Sequence, residues 1–171
     1  GTRSLRSPPS ASGPAGFTTF SHEEGDDTSL PSDFVMTAAA DPDDPDILWV
    51  GSWDGGLSRF DVRTGRCRNF ELEDNRIYNS YIDSKGRFWI GTWGGGLILF
   101  SRDDLSSRVF TTDSQYGITN NIVYSFLEDR SGILWIGTNG GGISKLVDWK
   151  NRFVFHEYNP DDPRSLADGK V

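Results

Sequence analysis

One pattern occurs three times in this chain: LWVGSWDGGLSRF from Leu48, FWIGTWGGGLILF from Phe88 and LWIGTNGGGISKL from Leu134. The equivalent glycines are Gly51, Gly91 and Gly137. Each copy keeps a tryptophan at its second position (Trp49, Trp89, Trp135) and a glycine pair at its turn (Gly55-Gly56, Gly95-Gly96, Gly141-Gly142). A unit that returns every 40 or so residues is one supersecondary element stacked on copies of itself. Few folds accept that constraint. A β-sandwich does not, because its strands have no reason to repeat their own sequence.

The residues upstream repeat as well. Val35, Ile77 and Val123 each open a short apolar segment that ends at an aspartate: Asp41, Asp83, Asp129. In the second and third copies a D-x-x-G turn follows, whose glycine supplies the positive φ that a short hairpin loop needs. Four strands result. Strand A is the Val/Ile segment and strand B the LWIG segment. Strand C is GGL-x-x-F, and strand D the short aromatic piece near Phe70, Val109-Phe110 and Phe153 to Phe155. Strand B is apolar at nearly every position, so it is covered on both faces. The glycines follow at once because the chain reverses there into strand C. No helical period of 3.6 is present.

Small antiparallel four-stranded units of roughly this length are β-propeller blades. The expected fold is all-β, with repeats at about 33–72, 75–112 and 121–158. FTTFSHEEGDDTSLPSDFV (Phe17 to Val35) aligns without a gap to FVFHEYNPDDPRSLADGKV (Phe153 to Val171). The chain therefore encodes three blades preceded by a spare outer strand. The first 16 residues, GTRSLRSPPSASGPAG, hold almost nothing to bury and are expected to be a disordered linker.

ED-x-x-G-x-LWIGT-x-GGG, with NPDDPRSLADGKV as the join between units, closely resembles the two-component regulator propeller repeat over Phe17 to Val171. That repeat is best known from the extracytoplasmic sensor regions of bacterial hybrid histidine kinases, many of which detect oligosaccharides. The resemblance implies an extracytoplasmic (periplasmic or secreted) sensing module that is not itself an enzyme. The first unit, AAADPDDPDILWVGSWDGG, is also similar to the repeats of xyloglucanase-type and sortilin-type propellers. Two alternatives accordingly stand beside the sensor: a protein-interaction scaffold and a polysaccharide-active propeller enzyme, glycosidase or lyase.

Composition narrows the partners. The net charge of -8 over 171 residues excludes nucleic acid, whose phosphates demand clustered Lys and Arg. No apolar run reaches the roughly 18 residues that span a bilayer, so no membrane contact is expected of this segment. With Cys67 as the single cysteine and His22 and His156 as the two histidines, no intrachain disulfide, metal site or cofactor is expected. The aspartates sit in turns, where their own local hydrogen bonds account for them, and no catalytic set is assigned. Three blades fall short of the roughly four to eight that close a ring. Further blades or a second copy of the chain are the expected partners, together with a small-molecule or oligosaccharide ligand.

The candidate ligand-binding residues lie in the variable slot before the glycines: Trp53, Trp93 and Asn139. A turn needs no tryptophan. Burying one removes about 150 to 250 Å² from water, at roughly 25 cal/mol per Å². Trp53 and Trp93 must cover something, either a neighbouring blade or a ligand. Strand A adds Tyr78 and Tyr124, with Asn79 and Ser125 beside them, as candidates to line the channel.

Overall fold

The computed structural model describes residues 16–115, 117–147, 152–156 and 159–166. The expected linker falls almost wholly on residues 1–15, outside the described part. The twelve strands are β1 (Val35–Ala40), β2 (Ile47–Ser52), β3 (Gly56–Asp61), β4 (Arg66–Phe70), β5 (Ile77–Ile82), β6 (Phe88–Thr92), β7 (Leu97–Phe100), β8 (Ser107–Phe110), β9 (Val123–Glu128), β10 (Leu134–Thr138), β11 (Ile143–Val147) and β12 (Arg152–His156). They form three separate four-stranded sheets, β1 to β4, β5 to β8 and β9 to β12, each antiparallel and each in sequence order. These are three propeller blades. No described helix is long and apolar enough to cross a membrane.

The turn chemistry acts where the sequence places it. Gly86 and Gly132 close the β5–β6 and β9–β10 turns at φ of 75° and 72°, and Gly56, Gly96 and Gly142 open strand C with φ of 70° to 91°. Strand B is covered on both faces: every residue of β6 is buried.

Neighbouring blades meet as knob and notch. Ile77, at the start of β5, packs against Gly51 of β2, where an added Cβ would lie 2.5 Å from its Cγ2. Val123 packs in the same way against Gly91, at 2.7 Å. The recurrent glycine of LWIG is thus a seat for the next blade, a reason beyond turn geometry. Apolar clusters fill the two joints, one around Trp49, Ile77, Phe88 and Phe100, the other around Trp89, Phe110, Val123 and Ile136.

The turn aspartates do more than shape loops. Asp41, Asp83 and Asp129 each accept a bond from the indole N–H of the tryptophan in strand B: Trp49 at 2.7 Å, Trp89 at 2.9 Å, Trp135 at 2.8 Å. A buried indole needs an acceptor, and the repeat supplies it from the same residue that closes the turn.

Two expectations are corrected. Phe17 to His22 joins no sheet, because none of the described strands pairs with it. Instead Phe20 packs edge-on against Phe60, with centroids 4.9 Å apart. Trp135, in a strand B expected to be covered on both faces, is partly exposed, whereas Trp49 and Trp89 are 1% and 0% exposed. The joins nevertheless match in detail. Glu23 N–H bonds to Ser29 Oγ and Asn159 N–H to Ser165 Oγ, both at 2.9 Å.

Candidate functional site

The slot residues Trp53, Trp93 and Asn139 follow β2, β6 and β10, on the side of the blades where strand D returns to strand A. Each is pinned by its own backbone N–H, donated to the carbonyl of the residue just before strand A. The acceptors are Phe34 at 2.9 Å, Arg76 at 3.0 Å and Ile122 at 3.0 Å. The slot therefore has a fixed backbone, and its side chain alone varies.

Strand A carries a β-bulge in all three blades. The ladder pairs Val35 with Ser52 and Thr37 with Gly51, Ile77 with Thr92 and Asn79 with Gly91, Val123 with Thr138 and Ser125 with Gly137. Met36, Tyr78 and Tyr124 are the residues left over. A bulge interrupts strand alternation and re-aims one side chain. Here it turns Tyr78 and Tyr124 toward the slot tryptophan.

The result is a four-ring cluster drawn from all three blades. Trp93 is its hub, 5.3 Å from Trp53, 5.5 Å from Tyr78 and 5.7 Å from Tyr124 between ring centroids. Tyr78 and Tyr124 lie 5.2 Å apart. These are distances at which tilted aromatic pairs attract. All four rings remain partly exposed, so the cluster holds the blades together and still presents an aromatic surface. Asn139 is half-buried in the third slot, where it puts an amide in the place of the two tryptophans. Asn79 Nδ2 donates across the joint to the Tyr124 carbonyl at 3.1 Å, and Ser125 is exposed.

Sequence reasoning missed one member of this rim. Arg76 stands beside Trp93 and Gly94; a Cβ at Gly94 would sit 3.2 Å from its Nη2. Its Nε and Nη2 bond the two carboxylate oxygens of Asp74 at 2.9 and 2.8 Å. Burial alone would raise the Asp74 carboxyl, but its bonds to the Arg76 side chain and backbone prevail and hold it below the ordinary 3.8. The signal was the D-x-R directly before strand A. Blade 3 has the uncharged version, Asn120 Oδ1 accepting from Ile122 N–H at 2.8 Å. Among the described residues no group of His, Cys, Asp and Glu could hold a metal ion.

A family model described as two component regulator propeller matches residues 71–94 and 117–140, the second and third repeats. The resemblance read in the repeat is thus met independently over those residues. No curated protein matches the sequence. Among solved structures, the chain is similar to the extracellular domain of a hybrid two-component system from B. thetaiotaomicron. Identity there is 23%, with a TM-score of 0.68 over 80% of this chain and 18% of that one. It is also similar to the extracellular domain of a one-component system from the same organism, at 21% identity and TM-score 0.65 over 77% and 19%. Virginiamycin B lyase from Staphylococcus aureus shares the architecture at 14% identity, with TM-score 0.57 over 78% and 43%. The chain spans about a fifth of the length of the first two. At these identities the likeness establishes the fold: a run of propeller blades.

Proposed function

We propose that this chain is the ligand-sensing part of an extracytoplasmic sensor propeller in a two-component system, and that it binds a carbohydrate-type ligand on the Trp53–Trp93–Tyr78–Tyr124 surface. One observation carries the reading. Bulges in two inner strands and slot tryptophans in two blades combine to expose four aromatic rings side by side. Core packing would be satisfied by aliphatic residues there. Aromatic faces suit the C–H faces of sugar rings, and the amide of Asn139 and the fixed guanidinium of Arg76 offer hydrogen-bond donors. The regulator-propeller repeats, and the sensor proteins sharing the fold, support the same reading. They also favour a regulatory, non-catalytic role.

The ring is completed by partners, further blades or a second copy. On the leading face of blade 1, Phe34, Val35 and Met36 are 72%, 46% and 41% exposed. Val35 occupies the place of Ile77 and Val123, which another blade buries completely. Apolar surface of this kind marks an interface.

Calorimetry against a panel of neutral trisaccharides (maltotriose, cellotriose, xylotriose) tests the ligand proposal. We expect saturable binding of at least one. Trp53→Ala and Trp93→Ala should each weaken it about tenfold or more, equal to about 1.4 kcal/mol. Asn139→Ala should weaken it less. If the folded tryptophan variants bind as the parent does, or if no trisaccharide binds, the proposal fails.

A further inference from the structure

The opposite side of the blades, where strand A turns into B and C into D, carries two adjoining clefts of about 320 and 260 Å³. Arg87 lines both. Arg102 and Arg108 complete the charge of the first, Lys85 and Lys145 that of the second. Among the described residues, five of the chain's 17 basic side chains line these clefts beside Asp103, while Asp83, Asp41 and Asp43 pair with Arg87 and Arg102.

Four of these cations are held in place by neighbours on the protein. The Arg87 guanidinium lies over the Trp89 ring at 5.4 Å, and its Nε donates at 2.7 Å to Asp83, whose side chain is 1% exposed. Arg108 lies over Phe110 at 4.8 Å, and Lys145 over Trp135 at 5.3 Å. Arg102 Nη1 bonds Asp41 and Asp43, both at 2.9 Å. At exposed Arg108, stacking occupies the face of the guanidinium and leaves its N–H edge for hydrogen bonding, the arrangement that receives an oxyanion by two parallel bonds.

The repeat does not require these charges. In blade 1 the residue two before the strand-B tryptophan is Ile47, where blade 2 has Arg87. The blade 1 turn, DPDDPD, supplies carboxylates to cations of its own blade, with Arg59 at 3.7 Å from Asp44 and Arg63 at 3.1 Å from Asp46, and to Arg102 through Asp41 and Asp43. The same fold is thus built with an acidic turn in blade 1 and a basic one, DSKGR, in blade 2.

We propose that the paired clefts around Arg87 form a second binding site, for an oxyanion group, carboxylate or sulfate, carried on a ligand. The site is separate from the aromatic rim and does not depend on what binds there. Two-dimensional amide NMR of the whole chain tests it, with sodium sulfate and sodium glucuronate as probes. Sodium chloride holds ionic strength constant, and glucose is the neutral control. The expected result is a saturable shift with at least one probe, centred on Lys85 to Arg87, Ser101 to Arg108 and Lys145, and none with glucose. Arg108→Gln and Lys145→Gln, both at solvent-facing positions, should each weaken that binding threefold or more. A larger response to glucuronate than to sulfate identifies a carboxylate ligand, and the reverse a sulfated one. Unsaturable shifts scattered over the surface, or unchanged affinity in both variants, overturn the proposal.

Discussion

Blade 2 has a neighbour on each side, whereas the leading face of blade 1 has none in this chain. The same unit behaves differently in the two places. Ile77 is 0% exposed and Val35, its equivalent, is 46% exposed. Trailing faces show the same contrast: Leu127 of blade 3 is 65% exposed, while Tyr81 of blade 2 stacks on Phe126 at 6.4 Å. Burial therefore belongs to the joint and not to the repeat. A blade cannot cover its own faces, as expected of an array stabilised by nearest-neighbour contacts.

The largest effect that separates middle from end is expected at the turn aspartates. Asp83 is buried and accepts from two side chains, Arg87 Nε and the Trp89 indole, besides the Lys85 and Arg87 backbone N–H groups. Asp83→Ala removes the acceptor of a partly buried ion pair and of a buried indole, at a cost of about 3 to 5 kcal/mol. Asp129 performs the same service for a half-exposed Trp135, so Asp129→Ala should cost clearly less. Urea midpoints for the two variants check this; equal losses would refute the idea that the joint sets the value of the bond.

Next come the knobs. Ile77→Ala opens a cavity in a closed joint and should cost about 2 to 4 kcal/mol. Val35→Ala removes surface already in water and should change stability by about 0.5 kcal/mol or less. If further blades or a second copy are supplied, Val35→Ala should begin to cost as Ile77→Ala does, which makes the pair a gauge of whether the ring has been completed. Filling a notch is the milder converse: Gly91→Ala forces a Cβ to within 2.7 Å of Val123 and should cost about 1 to 3 kcal/mol.

The fold was legible because its signals are local. Apolar runs, turns opened by an aspartate and glycine pairs mark the strands of each blade, and D-x-x-G recurs in two of the three. What stayed hidden depends on register or on contacts between blades. The bulge that re-aims Tyr78 and Tyr124 leaves no composition signal, so the candidates could be named from the sequence while their meeting at Trp93 could not. Arg76 and the basic clefts were missed for a related reason. Their residues are scattered along the chain and become neighbours only when A–B and C–D turns come together. The Asp–Trp bond was visible as two repeated residues at a fixed interval, but the turn alone seemed a sufficient reason for the aspartate. The spare outer strand failed because strandedness needs a partner as well as a sequence.

The smallest contrast lies between the two joints, and pH should separate them. The joint of blades 1 and 2 is latched by Arg102 reaching Asp41. Burial would raise the Asp41 carboxyl, but the Trp49 indole, the Asp43 backbone N–H and the Arg102 guanidinium outweigh it and hold it below the ordinary 3.8. Such a group contributes stability above its unfolded-state value and loses it as pH falls through the folded one. The second joint is latched instead by the Glu128 carboxylate, which accepts bonds from Ser84 N–H at 2.8 Å, the Ser84 hydroxyl and the Tyr81 hydroxyl at 3.3 Å. Burial, and then the nearby Glu128 charge, raise the Tyr81 phenol above its ordinary 10.0. That contribution is complete below the unfolded value and disappears as pH rises through the folded one. One joint should thus loosen in acid, below about pH 4, and the other in alkali, above about pH 10. Amide exchange followed at Trp49 and at Trp89 across both limits reads the joints separately. Arg102→Gln should flatten only the acid response and Tyr81→Phe only the alkaline one; if either variant alters both limbs equally, the joints open together and the latches are not independent.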